Sequence, residues 1–188
     1  MIKFKHIDIL HLDEGENMEL SKYLSTIENK LIGSFDISRN YVVNGCNYDL
    51  FAEYHLRNEK YMLVKKAKIY AFENNEYCLI KYYKELNRND LITFKNTLIK
   101  SIDSIVNPSN EHMSSIITGV MVTDNIQVED ENFISKTIEQ FKYNKGFAFG
   151  FKGWADMRLI LVSLNEGLIA ANKKGKEVKT VYNFSSNC

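Results

Sequence analysis

Between Tyr48 and Arg57 the side chains take turns. Tyr48, Leu50, Ala52, Tyr54 and Leu56 alternate with Asp49, Phe51, Glu53, His55 and Arg57. A period of two is the side-chain period of a β-strand, so this segment has one apolar face to bury. A strand with one apolar face needs strand neighbours and a cover, and both are legible nearby. Phe35–Val43, ended by Asn44-Gly45, reads as the preceding strand. Arg57-Asn58-Glu59-Lys60 turns the chain into Tyr61–Phe72, which is rich in strand formers. Asn74-Asn75 then has the turn chemistry to close a hairpin onto Glu76–Tyr83.

The covers have the helical period. Leu20, Tyr23, Leu24, Ile27 and Leu31 recur at helical spacing after Asn17, an N-cap residue, and stop at Gly33. Asn87 caps a second helix, with Asp90 in its first turn, where the helix dipole favours negative charge. Its apolar stripe is Leu91, Phe94, Leu98, Ile102 and Ile105, and Pro108 ends it. Ser115–Thr123 is almost continuously apolar, as expected of a central strand buried on both faces. Asp130 caps a third helix with Phe133, Ile134, Ile138 and Phe141 inward. The remainder reads as strand: Gly146–Phe151, Arg158–Leu164, Leu168–Asn172 and Glu177–Phe184. The order predicts an α+β fold, a mixed and largely antiparallel sheet of five to seven strands with three main helices. No repeat, low-complexity tract or linker divides residues 1–188, so one domain is expected, with residues 1–16 a loosely packed N-terminal strand.

Charge narrows the partners. Lysine plus arginine and aspartate plus glutamate are balanced at 24 each, which argues against a whole surface that grips a phosphate backbone. Nucleic-acid contact is left to local basic clusters: Lys65-Lys66-Ala67-Lys68, Lys173-Lys174-Gly175-Lys176, and Tyr82-Tyr83 between Lys81 and Lys84. No stretch has the length of a membrane helix, and the N-terminus has no signal-peptide pattern. Cys46, Cys78 and Cys188 are scattered, with no zinc spacing, and read as free thiols in the reducing cytoplasm.

The order of helix, strands, helix, strand, helix, strand from Asn17 to Leu164 resembles the restriction-endonuclease-like core. That resemblance implies a metal-dependent nuclease site, with an Asp on one strand and Glu-x-Lys on the next. Asp49 lies on a fitting strand. The segment after it, Tyr61-Met-Leu-Val-Lys-Lys-Ala-Lys-Ile-Tyr, has no acid in that register, and Glu177-Val178-Lys179 falls far downstream. Gly153-Trp154-Ala155-Asp156-Met157-Arg158, followed by Asn172–Val178, is similar to uncharacterised proteins of low-GC Gram-positive bacteria.

Three groups of residues are therefore candidates. Asp49 and Glu53, on one strand face with His55, would combine with Lys66, Lys68 or Lys81 to hold a Mg or Mn ion over a phosphodiester; the plainer reading is a solvated face paired across strands. His6 and Asp8 share a strand face and have metal-ligand chemistry; the plainer reading is a polar chain end. Phe147, Phe149, Phe151 and Trp154, in the glycine-rich run up to Arg158, form a partner or ligand patch if they are exposed. With no phosphate loop and no nucleophile motif, the expected function is a non-enzymatic binding or regulatory module for a protein or small ligand. No cofactor is expected under that reading, and a homo-oligomer is compatible with it. The alternative is a nuclease-like metal-dependent phosphodiesterase, or its catalytically degenerate descendant.

Overall fold

A computed structural model describes residues 18–60 and 70–183. The elements run α1 (Met18–Leu31), β1 (Asp36–Val43), β2 (Cys46–Lys60), β3 (Tyr70–Leu86), α2 (Arg88–Ile105), β4 (His112–Ile126), α3 (Glu131–Gln140), β5 (Asn144–Gly146), β6 (Trp154–Ser163), β7 (Leu168–Ala171) and α4 (Lys179–Tyr182). The fold is α+β, with a mixed, mostly antiparallel open sheet in the order β1-β2-β3-β4-β6-β5, and β7 also pairs with β6. β1, β2 and β3 form an antiparallel meander, whereas β3, β4 and β6 are parallel neighbours. Parallel neighbours need a crossover, and α2 and α3 supply the two.

Each face of the sheet carries its own core. Leu91, Phe94, Leu98 and Ile102 of α2 and Ile134 and Ile138 of α3 pack with Tyr48, Phe51, Leu79, Ile117, Met121 and Leu159. On the other face Leu20, Tyr23, Leu24, Ile27 and Leu31 of α1 pack with Leu50, Cys78, Ile80, Val120 and Ile160, joined by Tyr182 of α4. β4 and β6 are buried on both faces, which explains their unrelieved apolar runs. α2 approaches β4 so closely that a Cβ on Gly119 would lie 2.3 Å from Leu98 Cδ2. The first turn of α2 is closed by a capping box: Asn87 Oδ1 accepts from Asn89 N and Asp90 N, and Asp90 Oδ2 accepts from Asn87 N.

Several local expectations are corrected. Asn74-Asn75 is no hairpin turn; both residues sit inside β3, opposite Leu56 and His55. Their side chains serve the sheet: Asn74 Oδ1 accepts from Ser114 Oγ at 2.7 Å and Asn75 Oδ1 from His55 Nδ1 at 2.9 Å. Pairing on both sides of β3 outweighs the turn preference of two asparagines. Asp130 does not cap α3 with its side chain. Its carboxylate accepts from Arg88 N at 2.8 Å and pairs with Arg88 Nε at 3.2 Å, tying α3 to the start of α2. Gly146–Phe151 is not a strand; pairing stops at Gly146 and a single 3₁₀ turn follows. Within Glu177–Phe184 the described residues hold the end of a 3₁₀ turn and the short helix α4, so Glu177-Val178-Lys179 is not in a strand. The expected N-terminal strand with His6 and Asp8, the Asn17 cap, and Lys66 and Lys68 all lie outside the described residues.

The outer edge of β6 is closed in an unusual way. β5 pairs with Trp154–Asp156 and β7 with Ile160–Ser163, which leaves a gap between them. Asn172, 1% exposed, fills it with one side chain. Its Oδ1 accepts from Leu159 N at 3.1 Å and Gly175 N at 2.8 Å. Its Nδ2 donates to Met157 O at 3.1 Å and Phe141 O at 3.2 Å. One amide thus stands in for the peptide group of a missing strand residue.

Candidate functional site

The loop between β5 and β6 holds the most exposed aromatic rings among the described residues. Phe149 is 103% exposed and Phe151 90%, and Trp154, at the start of β6, is 41%. A loop that loose in packing is nevertheless tightly bonded within itself. Phe147 N donates to Gly153 O at 3.0 Å, Lys152 N to Phe147 O at 3.2 Å, Gly150 N to Phe147 O at 2.9 Å and Phe151 N to Ala148 O at 3.1 Å. The backbone turns through the left-handed region at Ala148 (φ 47°), Phe149 (φ 55°), Gly150 (φ 90°) and Gly153 (φ 73°). Glycine does this freely; for alanine and phenylalanine it costs about 1 kcal/mol each. The base of the loop is held by Phe147, 9% exposed, whose ring meets His112 edge-on at 5.5 Å. His112 Nδ1 donates to Lys152 O at 2.6 Å, which leaves Nε2 to accept from Ser115 Oγ at 2.9 Å.

The expected aromatic patch is therefore divided. Phe149 and Phe151 project from the loop and Trp154 is half exposed, whereas Phe147 is a core residue. Arg158 is not part of the patch. It is 7% exposed, and its guanidinium meets Glu76 at 3.1 Å and Glu177 at 3.6 Å while Nε has no partner.

Among the described members of the proposed acid and lysine constellation, Asp49, Glu53 and Lys81 each have other partners. Asp49 lies at the β1-proximal end of β2, and its Oδ2 accepts from Tyr82 N at 2.7 Å, a structural bond. Lys81 reaches Asn47 O at 3.2 Å and Cys46 Sγ at 3.4 Å. Glu53 lies four residues further along β2 and pairs with His55 Nε2 at 3.3 Å. His55 instead opens a cleft that sequence reasoning missed, at the far ends of β2 and β3, of about 380 Å³ and lined by His55, Arg57, Glu73, Asn75, Tyr77 and Ser109. The missed residues are Glu73 and Asn75; reading Asn74-Asn75 as a turn removed both from the strand. The cleft's charges are answered within it: Glu73 Oε2 accepts from Ser109 Oγ at 3.1 Å, and Arg57 pairs with Glu111 at 3.0 Å. Among the described residues no group of three or more His, Cys, Asp and Glu side chains is arranged to hold a metal ion, so the donor set does not fit one. Tyr82 and Tyr83 form no stacking platform, since Tyr82 Oη donates to Asp124 Oδ2 at 2.7 Å and the Tyr83 ring packs edge-on against Phe94. Burial, the largest cause, raises the Cys78 thiol to about 12, so it stays protonated beneath α1 and α4.

No helix among the described residues is long and apolar enough to cross a membrane. No curated protein and no solved structure matches the chain. One family model matches residues 19–184, from the first turn of α1 to past the end of α4. On that match, the chain belongs to the family described as a domain of unknown function, DUF8052.

Proposed function

We propose that the protein is a binding module that engages a partner protein by inserting Phe149 and Phe151 into an apolar pocket on that partner. The observation that carries this reading is the pair of fully exposed rings on a loop whose backbone is strained yet internally bonded. A folding domain gains nothing from two rings held in water. A partner gains much: burying a phenylalanine removes about 200 Å² from solvent, worth roughly 5 kcal/mol before the costs of association. The bonded loop fixes the rings in advance, which reduces the ordering cost of binding. The rings project as a knob; Lys145 at the base of the loop is paired with Asp103, and the chain as a whole has balanced charge. That favours a pocket in a protein over an anionic membrane surface.

The test compares the wild type with the single variants F149S and F151S and with F149S/F151S. A protein retained from a lysate by the tagged wild type is purified and titrated calorimetrically against each. Each Phe→Ser change is expected to weaken binding about 30-fold, as for a central aromatic anchor. Unchanged affinity in both single variants, or sedimentation of the wild type with anionic vesicles in place of protein binding, overturns the reading.

The second reading, a nuclease-like phosphodiesterase or its degenerate descendant, draws support from the order of elements and from His55 and Glu73, which line one cleft on adjacent strands, with Glu53 paired to His55 beside it. It predicts a ligand effect on stability. At 10 mM Mn²⁺ and an affinity near 0.1 mM, the native state gains about 2.7 kcal/mol, a rise of roughly 5–10 °C in melting temperature for a chain of this size. A rise that E53Q and E73Q abolish supports this reading, and a flat melting temperature discards it.

A further inference from the structure

We propose that the cavity beside the gap in the β6 edge binds a small molecule with a flat apolar body and a carboxylate head. This surface is separate from the phenylalanine loop and does not depend on what that loop does. The cavity holds about 380 Å³, within the range of roughly 300–1,000 Å³ usual for small-ligand sites. It exists because two short strands share one edge. β5 begins at Asn144, opposite Asp156, and β7 ends at Ala171, opposite Ile160, so over the middle of β6 no strand fills the space beside the ladder. Asn172, through its side chain and its own N–H to Leu159 O, satisfies the backbone groups there together with Tyr143 O, which accepts from Met157 N at 3.2 Å. A ligand entering this space has no unpaired peptide group to answer, and it meets Phe141, Tyr143 and Met157. That floor selects an apolar body.

The rim selects the charge. Lys142, Lys173, Lys174, Asp156 and Glu177 all line the cavity. Three of these charges are already engaged: Lys174 is paired with Asp156, and Glu177 faces Arg158 at 3.6 Å. Burial works against ionisation of Asp156, but hydrogen bonds from Lys174 and Asn144 hold its carboxyl below the usual range, so the pair persists at neutral pH. Among the described residues neither Lys142 nor Lys173 has an ion-pair partner. The rim therefore presents two uncompensated ammonium groups above an apolar floor. An anionic head is attracted there and a cationic one repelled.

The probes are 2-naphthoate and its neutral isostere 2-naphthamide, titrated calorimetrically into the full 188-residue chain, into K142E/K173E and into F149S/F151S. The wild type is expected to prefer the carboxylate about tenfold, a preference that falls below about threefold in K142E/K173E and is unchanged in F149S/F151S. Both lysines are exposed, so the charge reversal leaves the fold intact. Equal affinity for the two probes, no saturable binding at millimolar concentration, or a preference that survives in K142E/K173E overturns the proposal. So does binding lost in F149S/F151S, because the probe then sits on the loop. None of these outcomes bears on whether a protein partner uses Phe149 and Phe151.

Discussion

Asn172→Ala is expected to cost roughly 4 kcal/mol of unfolding free energy, because it strands two buried N–H groups and two buried carbonyls at once. Leu159 N and Gly175 N lose their acceptor, and Met157 O and Phe141 O lose their donor. The edge between β5 and β7 is then held only by the backbone bonds Met157 N to Tyr143 O and residue 172 N to Leu159 O. Asn172→Asp separates shape from bonding. The carboxylate keeps both accepted bonds but turns its second oxygen toward two carbonyls. Charge repulsion there raises the carboxyl's folded-state value above its unfolded one, near 3.9. A raised carboxylate is penalised at pH 7 and relieved as the pH falls, since the protonated acid again donates. Urea denaturation at pH 7 and pH 4.5 should show the gap between Asn172→Asp and wild type narrowing at the lower pH, while that of Asn172→Ala stays constant. A cost below about 1 kcal/mol for Asn172→Ala would mean that water or a shifted strand replaces the amide.

Gly153→Ala is the second large effect. Gly153 has a φ of 73°, and a Cβ there would lie 2.2 Å from Met113 O and 2.6 Å from Met113 C. The obstacle is backbone and cannot swing aside. The left-handed conformation alone costs alanine about 1 kcal/mol, and displacement of the Met113 peptide from the start of β4 brings the total to roughly 4 kcal/mol. Gly45 isolates the first cost, since its φ is also 73° but nothing lies within 4 Å of its Cβ position. Gly45→Ala should therefore lose about 1 kcal/mol and Gly153→Ala several times as much, each read from urea denaturation. The same substitution should loosen the phenylalanine loop, whose closing bond runs from Phe147 N to Gly153 O. Equal losses at the two glycines would refute the close approach.

Much of this architecture is legible in the sequence because pattern and partner agree. The strand at Tyr48–Arg57, the stripes of α1 and α2, the Asn87 cap and the apolar runs of β4 and β6 each follow from a local rule that the tertiary structure leaves in force, although β2 is buried on both faces where one was expected, with Tyr48 and Phe51 in one core and Leu50 and Ala52 in the other. The failures come where a residue's local preference and its partner disagree. Asn74 and Asn75 have turn chemistry, yet His55 and Ser114 give them hydrogen bonds inside a strand. Asp130 stands where a cap belongs, yet Arg88 offers its carboxylate a better partner. Phe147, Phe149 and Phe151 alternate like a strand, yet four of the seven residues from Phe147 to Gly153, namely Ala148, Phe149, Gly150 and Gly153, take a left-handed φ. Of the candidate site, the aromatic run could be read and its division into buried Phe147 and exposed Phe149 and Phe151 could not. The cavity beside β6 leaves no local signal at all, because it arises from where two strands stop.

The central claim is that the fold stands without the two rings it carries outside, which are therefore there for a partner. Equilibrium urea denaturation of F149G/F151S tests it. The rings make no core contact, and glycine relieves the left-handed φ of Phe149, so the variant should match or exceed wild-type stability by up to about 1 kcal/mol. A loss of more than about 2 kcal/mol would show the rings to be part of the folded core and would contradict the account.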